Sequence, residues 1–215
     1  MKGVFVTFEG IEGSGKSTQI GLLADYLTAS GRPVTLTREP GGTPIGDQVR
    51  KILLDPASKG LDPVAELLLY AASRAQHLRE VILPALEKGR VVLCDRFSDA
   101  TLAYQGHGRG LDIDMIRALD RIVTGGRRPD LTILLDIGAA AGLARARGRN
   151  SSRELEHEGR FENEETAFHH RVREGYLALA KEQPERFRVV DASRSPDEVG
   201  QKIREIVDDM LRMSN

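Results

Sequence analysis

A glycine-rich stretch near the start of the chain contains the residues best suited to chemistry, Gly10-Ile11-Glu12-Gly13-Ser14-Gly15-Lys16-Ser17. Its spacing, G-x-x-x-x-G-K-S, is that of a loop that holds phosphate groups. The glycines permit a tight turn whose N–H groups converge on an anion at the point where a helix begins. We expect Lys16 to reach the β- and γ-phosphates of a nucleotide, and the Ser17 hydroxyl to bind Mg²⁺.

Two further segments end in charged residues. Asp95 and Arg96 follow the apolar run 91–94, and Arg38 comes before a Pro-Gly-Gly turn at 40–42. Because ligands of parallel sheets bind outside the carboxyl ends of the strands, these side chains are predicted to face the phosphate loop. Asp95 could then bind Mg²⁺, and Arg96 could clamp an acceptor phosphate. An edge ion pair, and a solvated surface position for Arg38, remain the alternatives.

Four arginines lie within nine residues: Arg145, Arg147, Arg149 and Arg153. Such a run is usually a solvated face. The variable positions of the phosphate loop, 11–14, hold no basic residue, so charge on a phosphoryl group in transfer must be neutralised from elsewhere. The arginines are candidates for that role. The polar stretch 148–160 that contains two of them could be a mobile flap, whereas the five histidines lack metal-ligand spacing and are assigned structural roles.

Short apolar runs separated by helix-length segments must position these residues. Five such runs predict buried strands at 4–8, 33–37, 91–94, 131–137 and 187–190. Because the runs are continuous rather than alternating, they indicate a parallel sheet covered by helices on both faces, an α/β three-layer fold. The clearest helix spans 62–87, with Asp62 as its cap. Its apolar stripe, which includes Val64, Leu67 and Leu68, is expected to face the core.

Composition sets the broad class of the chain. The length of 215 residues favours a single domain, and the hydrophobic fraction of 40% is ordinary for a globular protein. The 31 basic and 32 acidic residues nearly balance, so no overall field favours nucleic acid or an anionic membrane. The sequence shows neither a signal peptide nor a run of apolar residues long enough for a membrane span. We therefore expect a cytoplasmic protein.

Several segments taken together resemble the thymidylate kinase family of P-loop nucleoside monophosphate kinases, in its bacterial form. They are FEGIEGSGKST (8–18), TREPGGT (37–43), LLLYAASRAQH (67–77), DRF (95–97), AYQGHGRG (103–110), RARGR (145–149), GRFE (159–162) and VVDAS (189–193). The resemblance covers nearly the whole chain. It implies a five-stranded P-loop NTPase fold, a homodimer, and transfer of the γ-phosphoryl group of ATP to dTMP with Mg²⁺. The product is dTDP, in a step of dTTP synthesis.

The resemblance also implies a role for individual residues. Arg38 and Arg96 would bind the acceptor phosphate, Tyr70 would stack on thymine and Arg74 would bond the base. Tyr104 would crowd the 2′ side of the sugar, and Glu12 would meet the 3′-hydroxyl. The implied ATP site is Gly10, Ile11, Glu12, Gly13, Ser14, Gly15, Lys16, Ser17, Thr18 and Arg147. The implied dTMP site is Glu12, Arg38, Tyr70, Arg74, Arg96, Thr101, Tyr104 and Gln105, and the catalytic set is Lys16, Asp95, Arg96, Arg149 and Arg153.

Other classes of P-loop protein are disfavoured to different degrees. A GTPase needs an Asn-Lys-x-Asp segment to read guanine, and none of Asn150, Asn163 and Asn215 precedes a lysine. An ATPase without an acceptor would not need two arginines at strand ends. A kinase for another nucleoside monophosphate or a deoxynucleoside is the closer alternative, which an assay across acceptors would test.

Overall fold

The computed structural model describes residues 3–150 and 159–213. Within these residues the chain forms one five-stranded parallel sheet, in the order β2-β3-β1-β4-β5. The strands are β1 (Val4–Glu9), β2 (Val34–Arg38), β3 (Val91–Asp95), β4 (Leu131–Asp136) and β5 (Phe187–Asp191). The predicted α/β fold and its parallel sheet are confirmed.

The prediction that all five strands are buried is wrong for the two at the edges. β2 and β5 each pair with one neighbour only. Their side chains are accordingly more open, with Leu36 of β2 54% and Val189 of β5 50% exposed. The three inner strands have the continuous burial that their sequences predicted.

The helices cover both faces of the sheet, as expected for parallel strands joined by crossovers. They are α1 (Lys16–Ala29), α2 (Pro44–Leu54), α3 (Pro63–His77), α4 (Leu83–Glu87), α5 (Ser98–Thr101), α6 (Ile113–Thr124), α7 (Ala139–Asn150), α8 (Thr166–Glu182) and α9 (Pro196–Met213). Wider π turns occupy Leu78–Ile82 and Leu102–Gly108. None of the helices in the described part of the chain is both long and apolar enough to cross a membrane.

The predicted helix 62–87 is present, but it is not uniform. Asp62 caps it as expected, since its carboxylate accepts hydrogen bonds from the N–H groups of Val64 at 2.8 Å and Ala65 at 3.2 Å. The helix widens into the π turn before Pro84, whose ring nitrogen has no hydrogen to give to the preceding turn.

The apolar stripe of this helix faces the core only in part. Leu67 and Ala71 are buried, but Val64 is 43% and Leu68 53% exposed. The expectation that the whole stripe is buried is therefore wrong. These two side chains lie on the side of α3 that no other described element covers, and burial depends on neighbouring elements that the helical period does not specify.

Two clusters of apolar side chains hold the strands in register. Val6, Phe8 and Leu93 belong to the larger cluster, whereas Phe5 and Cys94 belong to the smaller one beside α4. The alternation follows from the two-residue period of a strand. Because both clusters fix β1 against β3, the carboxyl ends of these strands meet at one edge of the sheet.

Candidate active site

The phosphate loop connects β1 to α1, in the context that the motif requires. Gly10, Gly13 and Gly15 have φ angles of 137°, 70° and 93°, a region that other residues rarely adopt. A β-carbon on Gly10 would lie 2.5 Å from the carbonyl oxygen of Leu135, so this position also excludes any side chain on steric grounds. Gly15 is the N-cap of α1, and the free N–H groups of the first turn of α1 are available to an anion.

Lys16 lies inside this loop with its ammonium group largely removed from water. The Nζ atom donates hydrogen bonds to the carbonyl oxygens of Gly10 and Ile11, both at 2.9 Å. Burial, together with the positive charge of Arg96, lowers the pKa of Lys16 to about 8. A cation in so dry a site acts more strongly on a nearby phosphate than it would in bulk water.

Asp95 is brought to the same edge by strand register, because it pairs with Phe8 of β1 and with Arg38 of β2. Its Oδ2 atom accepts a hydrogen bond from the Ser17 hydroxyl at 3.4 Å. Its Oδ1 atom is buried and has no hydrogen-bond partner. The predicted meeting of Ser17 and Asp95 is thus present in the structure.

Arg96 follows with a φ of 71°, an uncommon conformation for a residue with a side chain. Its guanidinium donates to the carbonyl of Gly10 at 3.0 Å, to Glu12 at 3.1 Å and to the hydroxyls of Tyr104 at 3.0 Å and Tyr176 at 3.1 Å. The backbone turn therefore directs this side chain back over the phosphate loop. Arg96 thus forms an ion pair with Glu12, and its side chain is 18% exposed.

Glu12 is the acidic partner in this cluster. Burial would raise the pKa of Glu12, but His169, Arg96 and Lys16 together outweigh it and lower the pKa to about 2. Its Oε1 atom accepts a hydrogen bond from the Tyr104 hydroxyl at 2.6 Å. Glu12 is thus a charged hydrogen-bond acceptor within the phosphate loop, held in place by Tyr104.

Arg38 lies beside an open cleft of about 580 Å³. Its side chain is 55% exposed, and Nη2 is 3.8 Å from Asp47. The cleft is lined by Ser17, Ile20, Leu36, Thr37, Arg38, Gly42, Thr43, Pro44, Asp47, Val81 and Asp95. The phosphate-loop serine, the strand-end aspartate and Arg38 therefore share one cavity.

Arg74 is buried among hydrogen-bond acceptors. It is 3% exposed, and Nε donates to Glu39 at 2.8 Å. Nη2 donates to the Thr101 hydroxyl at 2.8 Å and to the carbonyl of Phe97 at 3.1 Å. Tyr70, one turn earlier, is half-buried, and burial raises the pKa of its hydroxyl above the usual range. The buried partner Glu39 was missed because it is 35 residues away in the chain.

Tyr104 and Gln105 are adjacent in sequence, but their side chains have different partners. The ring of Tyr104 is buried below the guanidinium of Arg96, 4.8 Å from its centroid. Gln105 donates instead to the buried carboxylate of Glu66 at 2.8 Å. That carboxylate also binds Arg160 at 2.6 Å, so Gln105 belongs to a separate buried polar cluster.

Comparisons with known proteins agree with one another. The family model described as thymidylate kinase matches residues 8–203. The chain belongs to the thymidylate kinase family. The "Thymidylate kinase" of Syntrophotalea carbinolica is 58% identical over 93% of this chain and 92% of its own length. That of Desulfovibrio desulfuricans is 56% identical over 97% of both chains.

A solved structure supports the same assignment. The crystal structure of thymidylate kinase from Ehrlichia chaffeensis is 35% identical, with a TM-score of 0.77, and the match covers 97% of this chain and 99% of the other. The chain is accordingly a kinase of nucleotide biosynthesis, phosphorylating dTMP to dTDP. The resemblance found in the sequence is confirmed, and the GTPase and acceptor-free ATPase alternatives are set aside.

The residues present in this thymidylate kinase fit a magnesium ion. A serine hydroxyl and a carboxylate are hard oxygen donors of the kind that Mg²⁺ prefers, and Oδ1 of Asp95 is buried without a partner. No group of three or more His, Cys, Asp or Glu side chains lies within reach of a common metal in the described ranges. Mg²⁺ is usually held by one or two protein ligands together with substrate phosphates.

The candidate arginines of the flap can be placed only in part. Arg145 Nη1 donates to the carbonyl of Ala192 at 2.9 Å, and Arg147 Nη2 to the carbonyl of Glu162 at 3.3 Å. Arg153 and the side chain of Arg149 lie outside the described residues, as does most of the segment 148–160. The roles of these arginines therefore stay predictions.

Glu9 is a member of the site that sequence reasoning missed. It ends β1 with no exposed surface, accepting hydrogen bonds from the N–H of Phe97 at 2.8 Å and from Tyr176 at 2.7 Å. Burial and the nearby charge of Asp99 raise the pKa of Glu9 to about 8. An acidic residue at the end of a buried apolar run was the available signal.

We expect Glu9 to make the stability of the protein fall as pH rises. The folded chain keeps this carboxyl protonated up to a pKa of about 8, whereas the unfolded chain releases the proton at about 4.5. Between these values unfolding releases a proton, so the free energy of unfolding falls by up to about 1.4 kcal/mol per pH unit. Urea unfolding of Glu9→Gln from pH 5 to 8 should lack this component. The exposed Glu87→Gln is the control, and equal pH slopes in the two variants would contradict the assignment.

Proposed function

We propose that this thymidylate kinase transfers the γ-phosphoryl group of ATP to dTMP with Mg²⁺ held by Ser17 and Asp95. The observation that carries the proposal is the shared edge of the sheet, where the phosphate loop meets Asp95, Arg96 and Arg38. ATP phosphates bind the loop residues 10–18, with Lys16 against the β- and γ-phosphates. When bound, Mg²⁺ neutralises charge on those phosphates.

Transfer then depends on positioning and charge neutralisation. The phosphate of dTMP is already anionic near neutral pH, because such monoesters ionise a second time near pH 6, so no strong general base is needed. Arg38 and Arg96 hold this phosphate from two sides. Lys16 and the loop N–H groups stabilise the charge that spreads over the transferring group.

The nucleoside end of dTMP extends toward α3 and the π turn at 102–108. Tyr70 stacks on thymine, and Arg74 bonds the base. Nε and Nη2 of Arg74 are already bonded, and Nη1 lies 3.9 Å from Asp120, a long contact that leaves Nη1 able to donate to the base. Glu12 accepts the 3′-hydroxyl, a role that its charge at neutral pH supports. Thr101 accepts a hydrogen bond from Nη2 of Arg74 and so supports that arginine, whereas Gln105 belongs to the separate cluster around Glu66.

A coupled assay across acceptors tests this function. We expect dTMP to be used in preference to dUMP, UMP, CMP, AMP and GMP, with ATP as donor, and activity to be lost when EDTA removes the metal. Preference for another nucleoside monophosphate would contradict the assignment of the acceptor pocket to dTMP. Activity that survived complete metal removal would contradict the roles of Ser17 and Asp95.

Tyr104→Ala is expected to relax the discrimination against a 2′-hydroxyl. The ring fills a buried position beside Glu12, and its loss opens room on the 2′ side of the sugar. The preference in kcat/KM for dTMP over its ribose counterpart should fall by about 10–200-fold, the range that steric exclusion by a few atoms gives. Tyr104→Phe keeps the ring and should keep the preference. An unchanged ratio in Tyr104→Ala would refute this role.

We also propose that the protein is a homodimer. Val64 and Leu68 of α3, and Met115 and Ile122 of α6, are large exposed apolar side chains on two helices that pack together. An exposed apolar surface of this kind supports an interface. Sedimentation of the purified protein tests the proposal of a homodimer.

The cytoplasmic location stays a prediction from the sequence.

A further inference from the structure

One buried histidine connects the two residues that flank Arg38 in the chain. The Nε2 atom of His77 lies 2.6 Å from the Thr37 hydroxyl, and Nδ1 lies 2.9 Å from Oε1 of Glu39. His77 has no exposed surface. We call Thr37, His77 and Glu39 the histidine bridge. Because side chains alternate along an extended segment, a bridge on one side leaves Arg38 directed to the other.

The bridge continues to the second arginine of the acceptor site. The other carboxylate oxygen of Glu39 accepts the 2.8 Å hydrogen bond from Nε of Arg74. Glu39 is 5% and Arg74 3% exposed, so this contact is shielded from water. One carboxylate therefore joins the histidine next to the phosphate end of the site to the arginine at its base end.

The glycine turn after Glu39 packs directly on the imidazole. A β-carbon on Gly42 would lie 2.8 Å from ring atoms of His77 and 2.8 Å from the Thr37 hydroxyl. The N–H of Gly41 donates to the Ser73 hydroxyl at 3.3 Å, on the same helix as His77. The turn is thus attached to α3 through Ser73, and it leaves no room beside the imidazole for a side chain at position 42.

Arg38 itself has few contacts that could fix it. Its side chain is 55% exposed, and its ion pair with Asp47 is long, at 3.8 Å. A pair of that kind in water contributes little. The backbone of residues 37–39 is held by the pairing of β2 with β3 and by the hydrogen bond from the N–H of Glu39 to the carbonyl of Asp95 at 2.9 Å. The histidine bridge fixes the side chains of Thr37 and Glu39, on either side of Arg38.

We propose that His77 is a positioning residue for the dTMP site. Through its bonds to Thr37 and Glu39, the His77 side chain holds Arg38 and Arg74 in one arrangement. This inference rests on the proposed roles of those two arginines in binding the acceptor. The imidazole touches neither substrate. Its loss is expected to affect the binding of dTMP and not the phosphate loop, which follows β1.

Replacement of the ring tests this role. His77→Phe keeps a planar side chain in the cavity and removes both polar contacts. We expect the KM for dTMP to rise by about 10–100-fold, since weaker hydrogen bonding by the two misplaced arginines costs affinity of that order. The KM for ATP should change by less than about threefold, which is well below the rise expected in the KM for dTMP. Thr37→Val removes one of the two contacts with little change of shape, and should give a smaller rise in the same constant.

Two further measurements separate positioning from general damage. His170→Phe, at an exposed histidine on α8, is the matched control and should leave both KM values unchanged. In an Arg38→Ala background, His77→Phe should raise the KM for dTMP by a smaller factor than it does alone, because the effects of residues that act through one another are not additive. Thermal denaturation of each variant reports any loss of folding separately.

The outcomes are distinct. If the unmodified protein uses dTMP and His77→Phe leaves its KM for dTMP unchanged, the positioning role fails and the proposed function stands. Equal rises in the KM for ATP and for dTMP, or a full effect of His77→Phe in the Arg38→Ala background, would also overturn it. An unmodified protein unable to use dTMP would overturn both proposals.

Discussion

Lys16→Ala is expected to remove most phosphoryl transfer while the protein stays folded. Lys16 is the one basic side chain of the phosphate loop, and it is buried where its charge is weakly screened. The loss of one such stabilising group costs about 10²–10³ in kcat, and the loss of a full charge should reach at least the upper part of that range. Steady-state kinetics with saturating ATP and dTMP measures the effect.

The fold should survive this change, although Lys16 bonds two carbonyls of the loop, because the turn itself is formed by the backbone. The positive φ angles of Gly10, Gly13 and Gly15 and the start of α1 are backbone features. ATP should still bind through the N–H groups, more weakly, as calorimetry would show. Lys88→Ala is the control, since Lys88 is exposed and lies before β3 at the opposite edge of the sheet. A folded Lys16→Ala with near-normal turnover would overturn the assignment.

Arg149→Ala and Arg153→Ala should each reduce kcat far more than they raise the KM for ATP. Negative charge spreads over the oxygens of the phosphoryl group in transfer, and residues 11–14 of the loop offer no positive side chain to meet it. We propose that these two arginines supply that charge. An arginine of this kind is worth about 10³–10⁵ in rate, and a somewhat smaller loss is expected here because Lys16 and Arg96 remain.

Arg145 provides an internal control for this prediction. It donates to the carbonyl of Ala192, and Arg145→Ala should lower kcat less than Arg149→Ala or Arg153→Ala. If Arg149 and Arg153 share one task, the double variant should lose less than the product of the two single losses. Wild-type kcat in both single variants, or a defect confined to ATP affinity, would contradict the proposal.

The fold class could be predicted from the sequence because the signals for it are local. Continuous apolar runs specify buried parallel strands, and the glycines of the phosphate loop require a turn that few other sequences adopt. Asp95 and Arg38 could be placed together for a related reason, since parallel strands bring their carboxyl ends to one edge. Each of these inferences needs only local sequence patterns and a general rule of packing.

Other properties were decided by tertiary structure. The protonated state of Glu9, the pairing of Arg74 with Glu39 and the bridge formed by His77 depend on residues far apart in the chain. No period or motif reports which buried charge meets which partner. The exposure of Val64 and Leu68 was misjudged for the same reason, because the helical period predicts an apolar face but not which element covers it.

The sequence by itself therefore determined the parallel α/β sheet, the phosphate loop and the family of this protein. Only the folded chain determined how the acceptor side is arranged. There a buried charge is stable only when partners from other segments neutralise it or when it takes up a proton. Which of the two occurs at Glu9 or Glu12 depends on distances of a few ångströms that only tertiary packing sets.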